Sequence, residues 1–330
     1  MQLVLDTNGL IVKKRNNAFY IVRKQEKRLI SPSRITSIAV TADCLLSSAA
    51  IRLSAQHKIP IYFMDGTGQA KARLWSAQFG SIATIRREQT LFALEPEATE
   101  WIISLFRLKT ENQIECLRYL RLKKRRTSVE PNILSAIRGL ESSSSKWEDL
   151  RGETLEGNRS RIMGVEGNLA RQYWQTLSVA LGKDWQFSAR SRRPAKDIFN
   201  ASINYLYGML YNEIGTAALA AGLDPHLGFL HKDEYNRPTF VFDLIEPFRP
   251  WVDRLLLELI WSKKLDKAHF SIEEGKVTVN SKGKFVLIPA FNEWKLKKRI
   301  FLGKKMNHRN HFHTFAGEFA QQLQRRNQEE

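Results

Sequence analysis

Cysteine is nearly absent from this 330-residue chain: there are two, Cys44 and Cys116, and neither belongs to a CxxC pair. That excludes a disulfide framework and a thiolate zinc site, and it makes the cytoplasm the expected compartment. No apolar run reaches the ~20 residues that cross a bilayer, and the opening MQLVLDTNG lacks a basic segment leading into an apolar core, so no secretory signal is expected. Gly66 and Gly68 are not followed by a helix-opening GxGxxG pattern, so no phosphate-binding fingerprint is read there. Acid is also in short supply. Lys and Arg number 52 against 34 Asp and Glu, a net charge of +18. A surplus of that size points to a polyanion, with duplex nucleic acid ahead of an anionic membrane surface.

What is present divides in two. Up to about residue 75 the chain reads as short strands, Leu3–Leu5, Leu10–Val12, Phe19–Val22, Ile35–Val40 and Ile59–Met64, with a helix near Ser47–His57. The turns are Thr7-Asn8-Gly9, Arg15-Asn16-Asn17 and Asp65-Gly66-Thr67-Gly68. From about Arg86 the apolar period becomes helical, through Leu91, Leu94, Trp101, Ile102, Leu105 and Leu108, and it persists in later segments to Trp261. A hairpin is expected to pair Lys276–Val279 with Lys284–Ile288 around Ser281-Lys282-Gly283, and a last helix to carry Phe312, Phe315, Phe319 and Leu323 on one face. The fold class is therefore α+β: a small β-rich, sandwich-like domain at 1–85 and a larger helical one at 86–330.

One stretch concentrates the chemistry. Gly228-Phe229-Leu230-His231 is followed by a charged loop and then by Asp243, Glu246, Arg249 and Asp253. Asp243 and Glu246, at i and i+3, share one face of a helical turn. Pro247 and Pro250 place them close to a helix N-terminus. An imidazole with carboxylates is a donor set for Mg2+ or Mn2+; a buried, hydrogen-bonded histidine with a capping aspartate is the other arrangement open to the same residues. GVEGNLARQYW reads as the start of a helix with Glu166 in its first turn. Tyr207 and Tyr211, at i and i+4, either pack in a core or form a stacking ladder for nucleic acid. Arg190, Arg192, Arg193 and Lys196 cluster before that tyrosine helix, and Lys295, Lys297, Lys298, Arg299, Lys304, Lys305 and Arg309 crowd the C-terminal region. Repeated basic runs without balancing acid favour phosphate contacts. His308, His311 and His313 are read as part of a basic loop ahead of a metal tract.

GVEGNLARQYW, RRPAKDIFNASINYLYGMLY, GFLH and DLIEPFRPWVD occur in the order found in the universal CRISPR-associated integrase, the first-numbered Cas protein, and the chain resembles that family from end to end. The resemblance implies a metal-dependent DNA endonuclease and integrase that joins 3′-hydroxyl ends of spacer-precursor DNA to the CRISPR repeat. It further implies a homodimer formed through the N-terminal domain, and a heterohexameric complex with the small ferredoxin-like second Cas protein. Mg2+ or Mn2+ would be held by Glu166, His231 and Glu246, with Asp243 as an alternate ligand or behind the ligands. Tyr211, Tyr207, Arg192, Arg193, Arg249, Lys297, Lys298 and Arg299 would lie along the DNA. DIFN at Asp197–Asn200 departs from the DPVN of many relatives, which touches the start of a helix more than the chemistry. Three other functions compete: a tyrosine recombinase using Tyr207 or Tyr211 as nucleophile, a repair nuclease with the same metal site, and a non-catalytic scaffold.

Overall fold

The computed structural model describes residues 2–23, 26–35, 37–64, 70–74, 82–231 and 237–329. The turn expected at Asp65–Gly68 and the charged loop after His231 fall outside them. The chain forms two compact units, Met1–Gly80 and Ser81–Glu330, and 58% of the described residues are helical.

In the first unit the strands are β1 (Gln2–Leu5), β2 (Leu10–Arg15), β3 (Ala18–Arg23), β4 (Glu26–Ile30), β5 (Ser37–Val40), β6 (Cys44–Leu46), β7 (Ile61–Met64) and β8 (Ala70–Leu74), with helix α1 at Ser48–Gln56. They make two four-stranded sheets, β1-β5-β7-β8 and β4-β3-β2-β6. Asn16 and Asn17 both adopt positive φ, 48° and 55°, the conformation of a two-residue hairpin turn between β2 and β3. Leu3, Leu5, Ile38 and Ile61 of one sheet share a buried cluster with Leu10, Val12 and Phe19 of the other and with Leu53 of α1. Ser47 Oγ accepts the Ala50 N–H at 3.2 Å and so starts α1.

The second unit holds α2 (Ile82–Phe92), α3 (Pro96–Lys123), α4 (Glu130–Glu141), α5 (Ser144–Glu148), α6 (Leu155–Ala180), α7 (Ile198–Ala220), α8 (Thr239–Leu244), α9 (Arg249–Trp261), β9 (Phe270–Glu273), β10 (Lys276–Val279), α10 (Ser281–Trp294), β11 (Lys298–Phe301), β12 (Lys304–Asn307) and α11 (His308–Glu329). Three expectations are corrected here. The helix carrying Glu166 begins at Leu155, so Glu166 lies in its middle and not in a first turn. Ser281-Lys282-Gly283 opens α10, because the Asn280 side chain accepts the Gly283 N–H at 3.1 Å. Lys276–Val279 pairs instead with Phe270–Glu273, across Glu274 and Gly275 at φ 49° and 73°. Leu91 and Leu94 are exposed while Phe92 is buried, so the inward face of α2 is one residue out of step with the expected one. On α11, Phe312, Phe319 and Leu323 are buried as the period required. Among the described residues no helix is long and apolar enough to cross a membrane.

Candidate active site

Helix α3 presents a buried stripe of Ile102, Phe106, Lys109, Gln113 and Leu117. A lysine in that stripe needs a counter-charge, since an unpaired buried ammonium is costly. Two are supplied. Lys109 Nζ donates to Glu166 Oε1 from the middle of α6 at 2.6 Å, and to Glu246 Oε2 at 2.6 Å. Glu246 opens a single 3-10 turn, Glu246–Phe248, directly before α9. That turn is tied to α3, because Asn112 Nδ2 donates to the Pro247 carbonyl at 2.9 Å. The other Glu246 oxygen accepts from Arg249 Nε at 2.8 Å. Burial pushes the Glu246 carboxyl upward, but Arg249 and Lys109 outweigh it and carry the pKa down to about 2. Burial acts against the Lys109 ammonium too, and there Glu246 and Glu166 prevail, so its pKa is raised.

His231 is placed by a second construction. Asp243 Oδ2 accepts the backbone N–H groups of Phe229 at 2.7 Å and Leu230 at 3.1 Å. Its Oδ1 faces His231 Nδ1 at 2.6 Å. An Nδ1–H donated to a carboxylate leaves Nε2 with its lone pair, the form in which a histidine binds a metal. Arg159 of α6 donates to the Leu230 carbonyl from the far side. Gly228 is required by close approach: a Cβ there would meet Thr239 Cβ at 2.6 Å and the His231 carbonyl at 2.7 Å. Asp243 lies in the last turn of α8, not near a helix N-terminus. Its oxygens serve the His231 loop, while those of Glu246, three residues on, serve Lys109 and Arg249. The two acids therefore do not act as one pair. His231 is near enough to Glu246 for its charge to bear on that carboxyl.

Beside the carboxylates lies a second buried network. Arg249 Nη2 donates to the Tyr211 hydroxyl at 2.6 Å, and its guanidinium lies over the rings of Tyr207 and Tyr211. Tyr207 donates to Asp253 at 2.5 Å and Tyr173 does so at 2.9 Å. Tyr207 is buried, its hydroxyl is committed to Asp253, and Arg190 and Arg249 cover its ring. It offers neither a stacking face nor a free nucleophile, which corrects that expectation. Arg249 is likewise buried and holds Glu246 and Tyr211 instead of facing solvent. Arg299 pairs with Glu115 and lies over Trp251. Arg192, Arg193, Lys297 and Lys298 are exposed. His308 and His311 bind the carbonyls of Trp294 and Arg299; Lys295, with the Glu213 carboxylate at 2.7 Å, is buried.

Among the described residues no three His, Cys, Asp or Glu side chains are grouped tightly enough to enclose an ion. Two carboxylates from separate elements nevertheless converge on one cation, with an imidazole beside them whose Nε2 is left for a partner. Those oxygen and nitrogen donors suit Mg2+ or Mn2+, and the Lys109 ammonium now stands between the carboxylates. Lys109 and Asn112 were not singled out from the sequence, and Asp253 was read there only as part of the acidic stretch after His231. The signal for Lys109 was a cation inside a largely apolar helical stripe.

The family model described as CRISPR associated protein Cas1 matches residues 3–293. A CRISPR-associated endonuclease Cas1 of Archaeoglobus fulgidus is 31% identical over 271 residues, covering 79% of this chain and 78% of the relative. Its counterpart in Korarchaeum cryptofilum is 29% identical over 265 residues, covering 78% and 77%. In fold, a casposase bound to its integration product superposes with a TM-score of 0.81 at 24% identity, over 98% of this chain and 90% of that one. A Cas1 protein from Thermotoga maritima gives 0.77 at 19%, over 98% and 96%. With the family model spanning both units of the molecule, the chain belongs to the Cas1 family of CRISPR-associated proteins.

Proposed function

We propose that this protein is a metal-dependent DNA endonuclease and integrase of CRISPR adaptation, joining 3′-hydroxyl ends of spacer-precursor DNA to the CRISPR repeat by phosphodiester transesterification. The observation that carries it is the convergence of Glu166 and Glu246 on one cation beside a histidine oriented by Asp243. Glu166, Glu246 and His231 Nε2 would hold Mg2+ or Mn2+. The ion supplies a Lewis acid that lowers the pKa of the attacking hydroxyl and offsets charge on the phosphoryl oxygens.

The chain's own residues do the rest. Asp243 fixes the His231 tautomer and the loop that carries it. Arg249 holds Glu246 in place and presents Tyr211 beside the site. The exposed Arg192, Arg193, Lys297 and Lys298 contact phosphates and position the duplexes. The two sheets of the first unit form a sandwich-like dimerisation domain. A solved complex whose name joins Cas1 to Cas2 has the same fold in one portion, with a TM-score of 0.78 over 35% of that chain, which supports a second Cas protein as partner; we read that partner as the small ferredoxin-like one, in a heterohexamer.

The test is joining of a short duplex with 3′-hydroxyl ends to a supercoiled, repeat-bearing plasmid in Mn2+. His231→Ala and Glu246→Ala are each expected to abolish joining and to retain DNA binding. Joining by both variants, or joining in EDTA with a covalent protein–DNA adduct on a denaturing gel, would overturn the proposal.

A further inference from the structure

We infer that Lys109 is a built-in competing cation, which occupies the ion position of the metal-free site and must leave it for a divalent ion to enter. The inference rests on the metal-site reading above and adds a residue to it. Lys109 Nζ stands 2.6 Å from Glu166 Oε1 and 2.6 Å from Glu246 Oε2. Its side chain is 11% exposed, and those of the two glutamates are 23% and 7% exposed.

A divalent ion bound by the same two oxygens needs spokes of about 2.1 Å. The point between the oxygens has room for one cation only, and two cations there would repel at short range in a poorly solvated place. Arg249 holds Glu246 by its other oxygen, so the ammonium and the ion contend for Glu246 Oε2 and Glu166 Oε1. The lysine suits exchange: its ammonium is a point charge on a flexible four-carbon stem, whereas an arginine fork would be fixed by its planar geometry.

Two consequences follow. Without metal, Lys109 relieves the repulsion between a buried and a half-buried carboxylate and ties α3 to α6 and to the turn before α9. With metal, binding is weakened by the free energy needed to displace the ammonium, so half-occupancy requires more of the ion than three ligands alone would dictate.

The full-length chain is titrated with Mn2+ by calorimetry as wild type, Lys109→Gln and Lys109→Arg. The Gln variant is expected to bind Mn2+ at least tenfold more tightly than wild type. It should melt at a lower temperature without metal and show a larger rise in Tm when Mn2+ is added. The Arg variant, which keeps the charge, is expected to bind no more tightly than wild type. Mn2+ binding by the Gln variant equal to or weaker than wild type would overturn this inference and leave the metal site standing. A folded wild type that binds no Mn2+ would sink the metal-site reading and this inference with it. Should the Gln variant not fold, the wild type decides through acylation of Lys109 by an amine reagent, followed by peptide mass. A severalfold faster reaction with Mn2+ supports displacement, and an unchanged or slower one overturns it.

Discussion

Glu246 and Asp253 are both buried acids of the DLIEPFRPWVD segment, yet their surroundings are opposite. Glu246 meets two cations, Lys109 and Arg249, and its pKa falls to about 2 against the pressure of burial. Around Asp253 the direct partners are two tyrosine hydroxyls, and burial prevails over those hydrogen bonds to raise its pKa to about 6. A carboxylate kept ionised between cations is equipped to accept a metal. One satisfied by neutral donors, with no cation in direct contact, is equipped to hold helices together. The spacing of the two acids along the chain says nothing of this; their neighbours from α3, α6 and α7 decide it.

The largest effect expected from the contrast is on catalysis. Glu246→Ala should lower strand transfer at least a thousandfold, since it removes both a proposed metal ligand and the partner of two buried cations. Asp253→Asn should lower it less than tenfold. Equal losses in the two variants, in the plasmid-joining assay with DNA binding measured in parallel, would break the comparison.

Stability should depend on Asp253 as well. Asp253→Ala leaves the Tyr173 and Tyr207 hydroxyls without their acceptor and opens a gap, at a cost of about 2–4 kcal/mol in urea denaturation. The pH dependence is also opposite in sign for the two acids. A folded pKa of about 6 against the ordinary 3.8 means that the folded protein holds the Asp253 proton where the unfolded chain has released it. Stability from this group is thus fully present below pH 3.8 and declines as pH rises to 6, by about 3 kcal/mol in all. For Glu246, lowered from 4.5 to about 2, the stabilisation is present above pH 4.5 and lost as pH falls towards 2. The advantage of wild type over Asp253→Asn should therefore shrink between pH 4 and pH 7; a constant difference would show that burial does not raise this carboxyl.

The GFLH loop and the Glu246 turn stood out in the sequence because each joins unusual residue types in a short span: glycine before a histidine, then an acid followed by two prolines. Gly228 is required by contact with Thr239, and Pro247 and Pro250 sit at helix starts, so local chemistry was enough. Glu166 was misplaced because Gly164 and Gly167 imitate a helix start. Packing of Ile162, Leu169 and Tyr173 carries α6 straight through them. Lys109 was missed for the converse reason. A lysine in a helix usually faces solvent, and only the convergence of α6 and the turn before α9, more than 50 residues away in sequence, makes it internal. The charged strand β4, with Glu26, Lys27 and Arg28 exposed, carries no apolar alternation to be read and owes its place to pairing with β3.

The smallest effect concerns the basic surface, where the same contrast between committed and exposed charge recurs within three consecutive residues. Lys297 and Lys298 are exposed, whereas Arg299 is engaged by Glu115 and Asn112 over the Trp251 ring. Burial lowers the Arg299 guanidinium pKa although Glu115 supports its charge. Alanine at Lys297 or Lys298 should leave Tm unchanged and weaken duplex binding to the same degree for every sequence, lowering the slope of log affinity against log salt by about 0.9 for each phosphate no longer neutralised. Alanine at Arg299 should instead lower Tm by a few degrees, because the stacking on Trp251 and the ion pair with Glu115 are removed, with a smaller change in the salt slope. If the three substitutions behave alike in both measurements, exposure does not separate the charges that meet DNA from those that hold the protein.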